Sequence, residues 1–269
     1  MTNSKVHKTA CVSSRAHLGQ NTEVGPFAII EDNVKIGNNC RISGHVVIKK
    51  DSILGNNVFV DNFAVIGGNP QSIGFSSETP SNVIIGDYTQ IRENVTIHRA
   101  TQPNTSTKIG NHCFLMATSH VGHDSILGDN VILVNGCLVA GCVEVGDYCN
   151  FSGNTLIHQK VKIGEGVLIA GRGGTTLDLP PFLLISERHQ VHGLNLIGLK
   201  RRGYTLSTID NLKACYKAVL GSPGDPYKKA KEARESGLDI TDLGKKFLDF
   251  FKIKSSKGCV QWKQTQFAH

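Results

Sequence analysis

An aliphatic or aromatic side chain recurs at every sixth position from Ile109 to Ile169, through Leu115, Val121, Leu127, Leu133, Val139, Val145, Phe151, Ile157 and Ile163. Two places ahead of this column runs a second one of small or β-branched residues: Cys113, Ser119, Ser125, Val131, Cys137, Val143, Cys149, Thr155, Val161 and Val167. A period of six is neither the 3.6 of a helix nor the 2 of a lone strand. Fixed-period self-similarity marks a repeat architecture whose stacked units share one core. Three hexapeptides folded as short strands and turns close one triangular coil of roughly 18 residues, and successive coils pair edge to edge at roughly 4.8 Å. The expected fold is therefore mainly β, a parallel β-helix. The period alone leaves its hand open, because ordinary parallel crossovers are right-handed.

The same register runs from Val6 to Ile66 and then breaks. Gly67-Gly68-Asn69-Pro70 and Ser76-Ser77-Glu78-Thr79-Pro80 are loop chemistry, so a loop is expected at about 67–84 before the register resumes at Ile85, Ile91 and Ile97. A second irregular piece, 99–108, precedes the long run. Loops that grow over a rigid scaffold often carry function. The repeat is expected to end after Ile169, with Leu179-Pro180-Pro181-Phe182 as its exit, since proline cannot donate to a ladder.

This divides the chain into a β-helix over 1–190 and a small α-helical C-terminal domain over 191–269. Thr205 or Ser207 can cap a helix reaching Leu220, with Ile209, Leu212, Tyr216, Val219 and Leu220 on one stripe and Gly221-Ser222-Pro223-Gly224 as its stop. Shorter helices are expected at about 225–236 and 240–252, the second burying Leu243, Phe247, Phe250 and Phe251. Such a cap covers the open end of a coil stack.

The formal net charge of +7 sits unevenly: residues 191–269 hold 15 Lys and Arg against 7 Asp and Glu. The basic part suits an anionic partner, a nucleotide or an acidic protein. Nucleic acid is disfavoured, because aromatic residues are only 6% of the chain and no reading motif is present. The N-terminal residues are polar and lack a continuous apolar run, so neither a secretory signal nor a membrane span is expected, and a cytoplasmic location follows. Of eight cysteines none forms a Cys-x-x-Cys pair, and Cys40, Cys113, Cys137 and Cys149 fall in the small-residue column as core hydrophobes.

The polar residues left outside both columns hold the chemistry. His123 beside Asp124 can act as a general base whose imidazolium the carboxylate stabilises, or as a solvated pair on a turn. Eighteen residues on, Gly141 would stack on His123, either offering an open amide to a developing oxyanion or easing the corner. His120, His98, His158, His45 and His112 also lie outside the columns. Zinc between stacked coils is conceivable chemistry, but His98 and His158 are far from His123 in simple register and no pair has a dedicated metal spacing. Lys200-Arg201-Arg202 is a basic turn or a diphosphate contact.

Several longer matches go beyond the period. The chain resembles the UDP-N-acetylglucosamine O-acyltransferases of lipid A synthesis in Val24-Gly25-Pro26-Phe27, Gly44-His45-Val46-Val47-Ile48, Ile91-Arg92-Glu93-Asn94-Val95-Thr96-Ile97-His98-Arg99, His120-Val121-Gly122-His123-Asp124, Ile157-His158-Gln159, Asp178-Leu179-Pro180-Pro181 and Gly198-Leu199-Lys200-Arg201-Arg202-Gly203. The resemblance implies a left-handed coil, a homotrimer with active sites between subunits, and transfer of a 3-hydroxyacyl group from acyl carrier protein to the 3-hydroxyl of a UDP-sugar. No metal or cofactor is implied, the acyl donor being carried on the phosphopantetheine of its carrier. Residue by residue, it implies His123 as base, Asp124 as its orienting carboxylate and Gly141 as oxyanion donor. It places His98, His120, Cys142, His158 and Gln159 toward substrate, Gly171 at the acyl-chain ruler, and Asn195, Arg201 and Arg202 near phosphopantetheine or nucleotide. The chain departs from the pattern at Ser72, Cys142 and Ile197, where aspartate, histidine and glutamate are usual. A related acyltransferase acting on a modified or 3-amino sugar nucleotide, a γ-carbonic-anhydrase-like zinc enzyme and a non-catalytic binding trimer are the other readings.

Overall fold

The structure, a computed structural model, describes residues 3–262. Short strands, mostly of two residues, alternate with two-residue turns, and each strand pairs in parallel with its counterpart one coil away. Three sheets of 11, 9 and 8 strands form the faces of a left-handed triangular prism. The aliphatic and small columns point inward and are buried along the stack, from Val24 and Ile30 through Phe151 to Ile169. Cys40, Cys113, Cys137 and Cys149 lie in this core, where burial pushes the Cys137 and Cys149 thiols up to about 12.

From Asn21 onward, most turns place the third residue after the inward aliphatic one in left-handed backbone geometry, as at Asn21, Asn39, Asn57, Asp124 and Cys142. Asn and Asp tolerate this conformation best among residues with a side chain, which accounts for their recurrence in the repeat.

Ordinary coils have the 18-residue register seen between Phe59–Val60 and Arg41–Ile42. The first loop lengthens one coil so that Val60 pairs with Ile91, and the second so that Ile97 pairs with Val121. Arg99, 2% exposed, organises the first loop from within: its guanidinium donates to Asn69 Oδ1 and to the carbonyls of Thr79 and Ser77, and stacks on Phe75.

The stack does not stop at Ile169. Gly174–Thr175 adds a strand to the second sheet, with Thr175 in the aliphatic position and its hydroxyl donating to Leu177 O at 2.6 Å. Leu183–Glu187 then pairs with Leu168–Ile169 and turns back antiparallel to Gln190–Leu194. The period conceals this last coil because threonine replaces the aliphatic residue and the return to Ile185 is two residues short.

Four helices follow: α1 (Leu196–Arg201), α2 (Leu206–Leu220), α3 (Pro226–Glu235) and α4 (Asp242–Asp249), which leads into a 3-10 turn. Thr205 caps α2, its hydroxyl accepting from Thr208 N, and Gly221 closes it. Tyr216 and Phe250 are only partly buried, whereas Cys215 and Leu248 complete the packed faces. Glu165, on a coil turn, accepts from both Arg202 and Lys246 and so ties the helices to the prism. Burial alone would raise its carboxyl, and the two cations more than reverse that, leaving it below the usual carboxylate range. No helix among the described residues is long and apolar enough to cross a membrane.

Candidate active site

His123 and Asp124 occupy the turn that follows His120–Val121. A continued strand would put residue 123 on the same face as Val121, but the strand ends there and the turn carries His123 outward. Its Nδ1 lies 2.7 Å from Asp124 Oδ2. An ionised carboxylate only accepts, so in this pair Nδ1 carries the proton and Nε2 keeps the lone pair.

The second loop completes this pair. Thr101 N donates to Asp124 Oδ1 at 2.9 Å and Thr101 Oγ1 to Asp124 Oδ2 at 2.8 Å, while Asp124 N donates to Thr107 Oγ1 at 2.8 Å. Both carboxylate oxygens are thus held by the 99–108 insertion. Thr101 and Thr107 were not legible as site residues, since nothing local in the sequence links them to a residue more than fifteen positions away.

Gly141 stacks on His123 one coil further on. A Cβ placed on Gly141 would lie 2.6 Å from both Cε1 and Nε2 of the imidazole, so only glycine allows the ring this position. Among the described residues no acceptor is found for the Gly141 amide, which sits between the bonded amides of Ala140 and Cys142. Cys142 N donates to His123 O at 2.8 Å, locking the two coils in register.

His123 and Gly141 border a cavity of about 550 Å³ that His98, His120, His158, Gln159, Leu138 and Leu156 also line. Simple counting puts His98 and His158 far from His123; the fold keeps His158 two coils away, though on the same cavity, and corrects His98. The second insertion pairs Thr96 with His120, 24 residues apart, which brings the His98 ring 4.7 Å from that of His120. Thr96 Oγ1 holds His120 Nδ1 at 2.7 Å. Burial, reinforced by His120 and His123, depresses His98 to about 4, and burial also lowers His120, so both present neutral imidazoles at neutral pH.

Gly171 is exposed, and a side chain there would meet only Gly153 O at 3.6 Å; its neighbours Arg172 and Gly173 reach the cavity. In the first loop it is Gln71, not Ser72, that lines the cavity. One chain does not bring Asn195, Arg201 and Arg202 to this cavity. Asn195 caps α1, accepting from Gly198 N and donating to Gly166 O. Arg202 is engaged with Glu165 and lies over the Tyr148 ring at 4.0 Å, while Arg201 and Ile197 are exposed. Among the described residues, one cluster of three metal-type donors stands close enough to share an ion: His123, Asp124 and Cys142.

A family model for domain 2 of UDP-N-acetylglucosamine O-acyltransferase matches residues 178–260, and the bacterial transferase hexapeptide model matches 15–50 and 106–141. An acyl-[acyl-carrier-protein]–UDP-N-acetylglucosamine O-acyltransferase from Campylobacter concisus is 36% identical over 255 residues, 94% of this chain and 96% of that protein. The enzyme of the same name from Paraburkholderia phymatum is 39% identical over 96% of this chain and all of its own length. The chain belongs to the UDP-N-acetylglucosamine O-acyltransferase family. The solved UDP-N-acetylglucosamine acyltransferase from Campylobacter jejuni superposes on this family member with a TM-score of 0.88 at 34% identity, covering 96% of this chain and 99% of that one.

Proposed function

We propose that the protein transfers a 3-hydroxyacyl group from acyl carrier protein to the 3-hydroxyl of UDP-N-acetylglucosamine. The observation that carries this reading is the stack of His123 on Gly141, with a carboxylate on one side of the imidazole and an unbonded amide on the other. His123 Nε2 takes the proton of the sugar hydroxyl as its oxygen attacks the thioester carbonyl. The Gly141 N–H stabilises the oxyanion of the tetrahedral intermediate, and Asp124 stabilises the imidazolium. Collapse of the intermediate expels the phosphopantetheine thiolate, which recovers the proton from His123. Turnover then needs neither metal nor cofactor. His98, His120, His158 and Gln159 would hold the sugar and donor, and the open space at Gly171 would admit the acyl chain.

A homotrimer would complete the site. Ile73, at 107% exposure, and the exposed Leu138 and Leu156 beside the cavity are apolar surface that a neighbouring copy would cover. The same assembly would let Asn195, Arg201 and Arg202 serve a neighbour's cleft. The unpaired state of all eight cysteines suits a reducing cytoplasm. Cys142 and Ser72 support a second reading of the acceptor, a 3-amino sugar nucleotide, because both depart from the family on the acceptor side.

Mass spectrometry of products from UDP-N-acetylglucosamine and its 3-amino analogue, each offered hydroxyacyl carrier proteins of several lengths, tests both. An O-acylated product supports the first reading and preferential N-acylation the second. If neither product forms, the transferase reading fails.

A further inference from the structure

The cysteine at position 142 changes more than the shape of the cleft. A ring nitrogen of His123, a carboxylate oxygen of Asp124 and Sγ of Cys142 lie within 4.8 Å of one another. All three side chains are half-buried, and His123 also lines the cavity. The left-handed backbone of Cys142 and its amide bond to His123 O fix the thiol's position against the imidazole one coil away.

We propose that His123, Asp124 and Cys142 form an inhibitory site for a soft divalent cation, zinc above all. Thiolate, imidazole and carboxylate are zinc's preferred donors, and three protein ligands with a fourth position left to water are a sufficient set. Around a tetrahedral zinc the donor atoms stand roughly 3.3–3.8 Å apart, so closure asks side-chain atoms to shift by about 1 Å. On binding, the Cys142 S–H proton passes to solvent and the thiolate bonds the metal, while His123 changes tautomer so that Nδ1, the nitrogen beside Asp124, gives its lone pair to the metal and Nε2 carries the proton. The base is then blocked. This last step rests on the reading of His123 as the base, whereas the binding step does not.

Direct metal binding and inhibition are measured separately on the full-length protein. Cobalt(II) is the spectroscopic probe, since a thiolate ligand adds a charge-transfer band in the near ultraviolet, and zinc affinity is read by competition with a chromogenic chelator. The expected result is one metal per chain with the thiolate band, and acyl transfer that falls with zinc occupancy. Cys142→Ser should abolish the band and weaken zinc binding at least about tenfold, a scale at which even outer-shell partners are felt. Its zinc inhibition constant, taken relative to its own uninhibited rate, should rise by the same factor. Asp124→Asn should weaken binding while keeping the thiolate band, and Cys11→Ser should change neither. Absence of the thiolate band, or zinc binding unaltered in Cys142→Ser, overturns the site. Binding with the band but undiminished acyl transfer keeps the site and contradicts His123 as base.

Discussion

Two corners of the same prism share a backbone geometry and differ in what their outward amides bind. At the corner after the third sheet, an Asn or Asp side chain from the next coil caps the amide: Asn38 N donates to Asn56 Oδ1 at 2.9 Å, Asp87 N to Asn111 Oδ1 at 2.8 Å, and Asn111 N to Asp129 Oδ1 at 2.7 Å. At the corner after the second sheet, the equivalent positions are His123, Gly141 and Gln159. Among the described residues these three positions show no such ladder and the Gly141 amide finds no acceptor, and an imidazole takes the space that a side chain on Gly141 would fill. One corner spends its polar groups on holding coils together. The other withholds them, and a withheld donor beside a base is what acyl transfer uses.

If the corners differ in this way, their variants should too. His123→Ala should lower kcat by about 10² to 10⁴ with thermal stability little changed, as read by a carrier-protein thiol-release assay and a melting curve. Thr101→Val removes one of two contacts to Asp124 and should cost roughly tenfold, the Thr101–Asp124 hydroxyl bond being one to a charged group. Thr101→Ser should restore the rate, a rescue that mere loosening of the loop would not give.

The attachment of the helical domain behaves differently again. Glu165 has its folded-state pKa below its unfolded one, so its contribution to stability is present above the ordinary carboxylate value and is lost as pH falls through the lower, folded value. Glu165→Gln should therefore be destabilised at neutral pH and should converge with wild type in acid, as followed by denaturant unfolding at stepped pH. The smallest effect belongs to the ladder corner. Asn111→Ala removes the acceptor for Asp87 N and should cost about 1 kcal/mol of stability with kcat unaltered. A large activity loss there would erase the distinction between the corners.

How much of this could be read from the chain depended on whether a feature obeyed the period. The inward columns, the interior cysteines, the outward His123 and the stacking of Gly141 on it all follow from counting in sixes and eighteens. So do the breaks at the two loops. The caps at Thr205 and Gly221 are local chemistry and equally legible. What was hidden lies across insertions or against the pattern. His98 falls beside His120 only because the second loop adds six residues to a coil, and loop length cannot be converted to register without knowing where the chain re-enters the stack. Thr101 and Arg99 act through contacts that no spacing encodes. Thr175 continues the stack with a hydroxyl where every earlier coil offers an apolar side chain, because its own loop supplies the acceptor.

The contrast between the corners turns on position 141, so the most direct measurement is kcat for Gly141→Ala alongside its melting temperature. An added methyl would sit 2.6 Å from the His123 ring, displacing the base and crowding the oxyanion position while leaving the inward columns untouched. The account predicts a loss of about 10² or more in kcat with the fold retained. A Gly141→Ala enzyme that folds and turns over at close to the wild-type rate would contradict it.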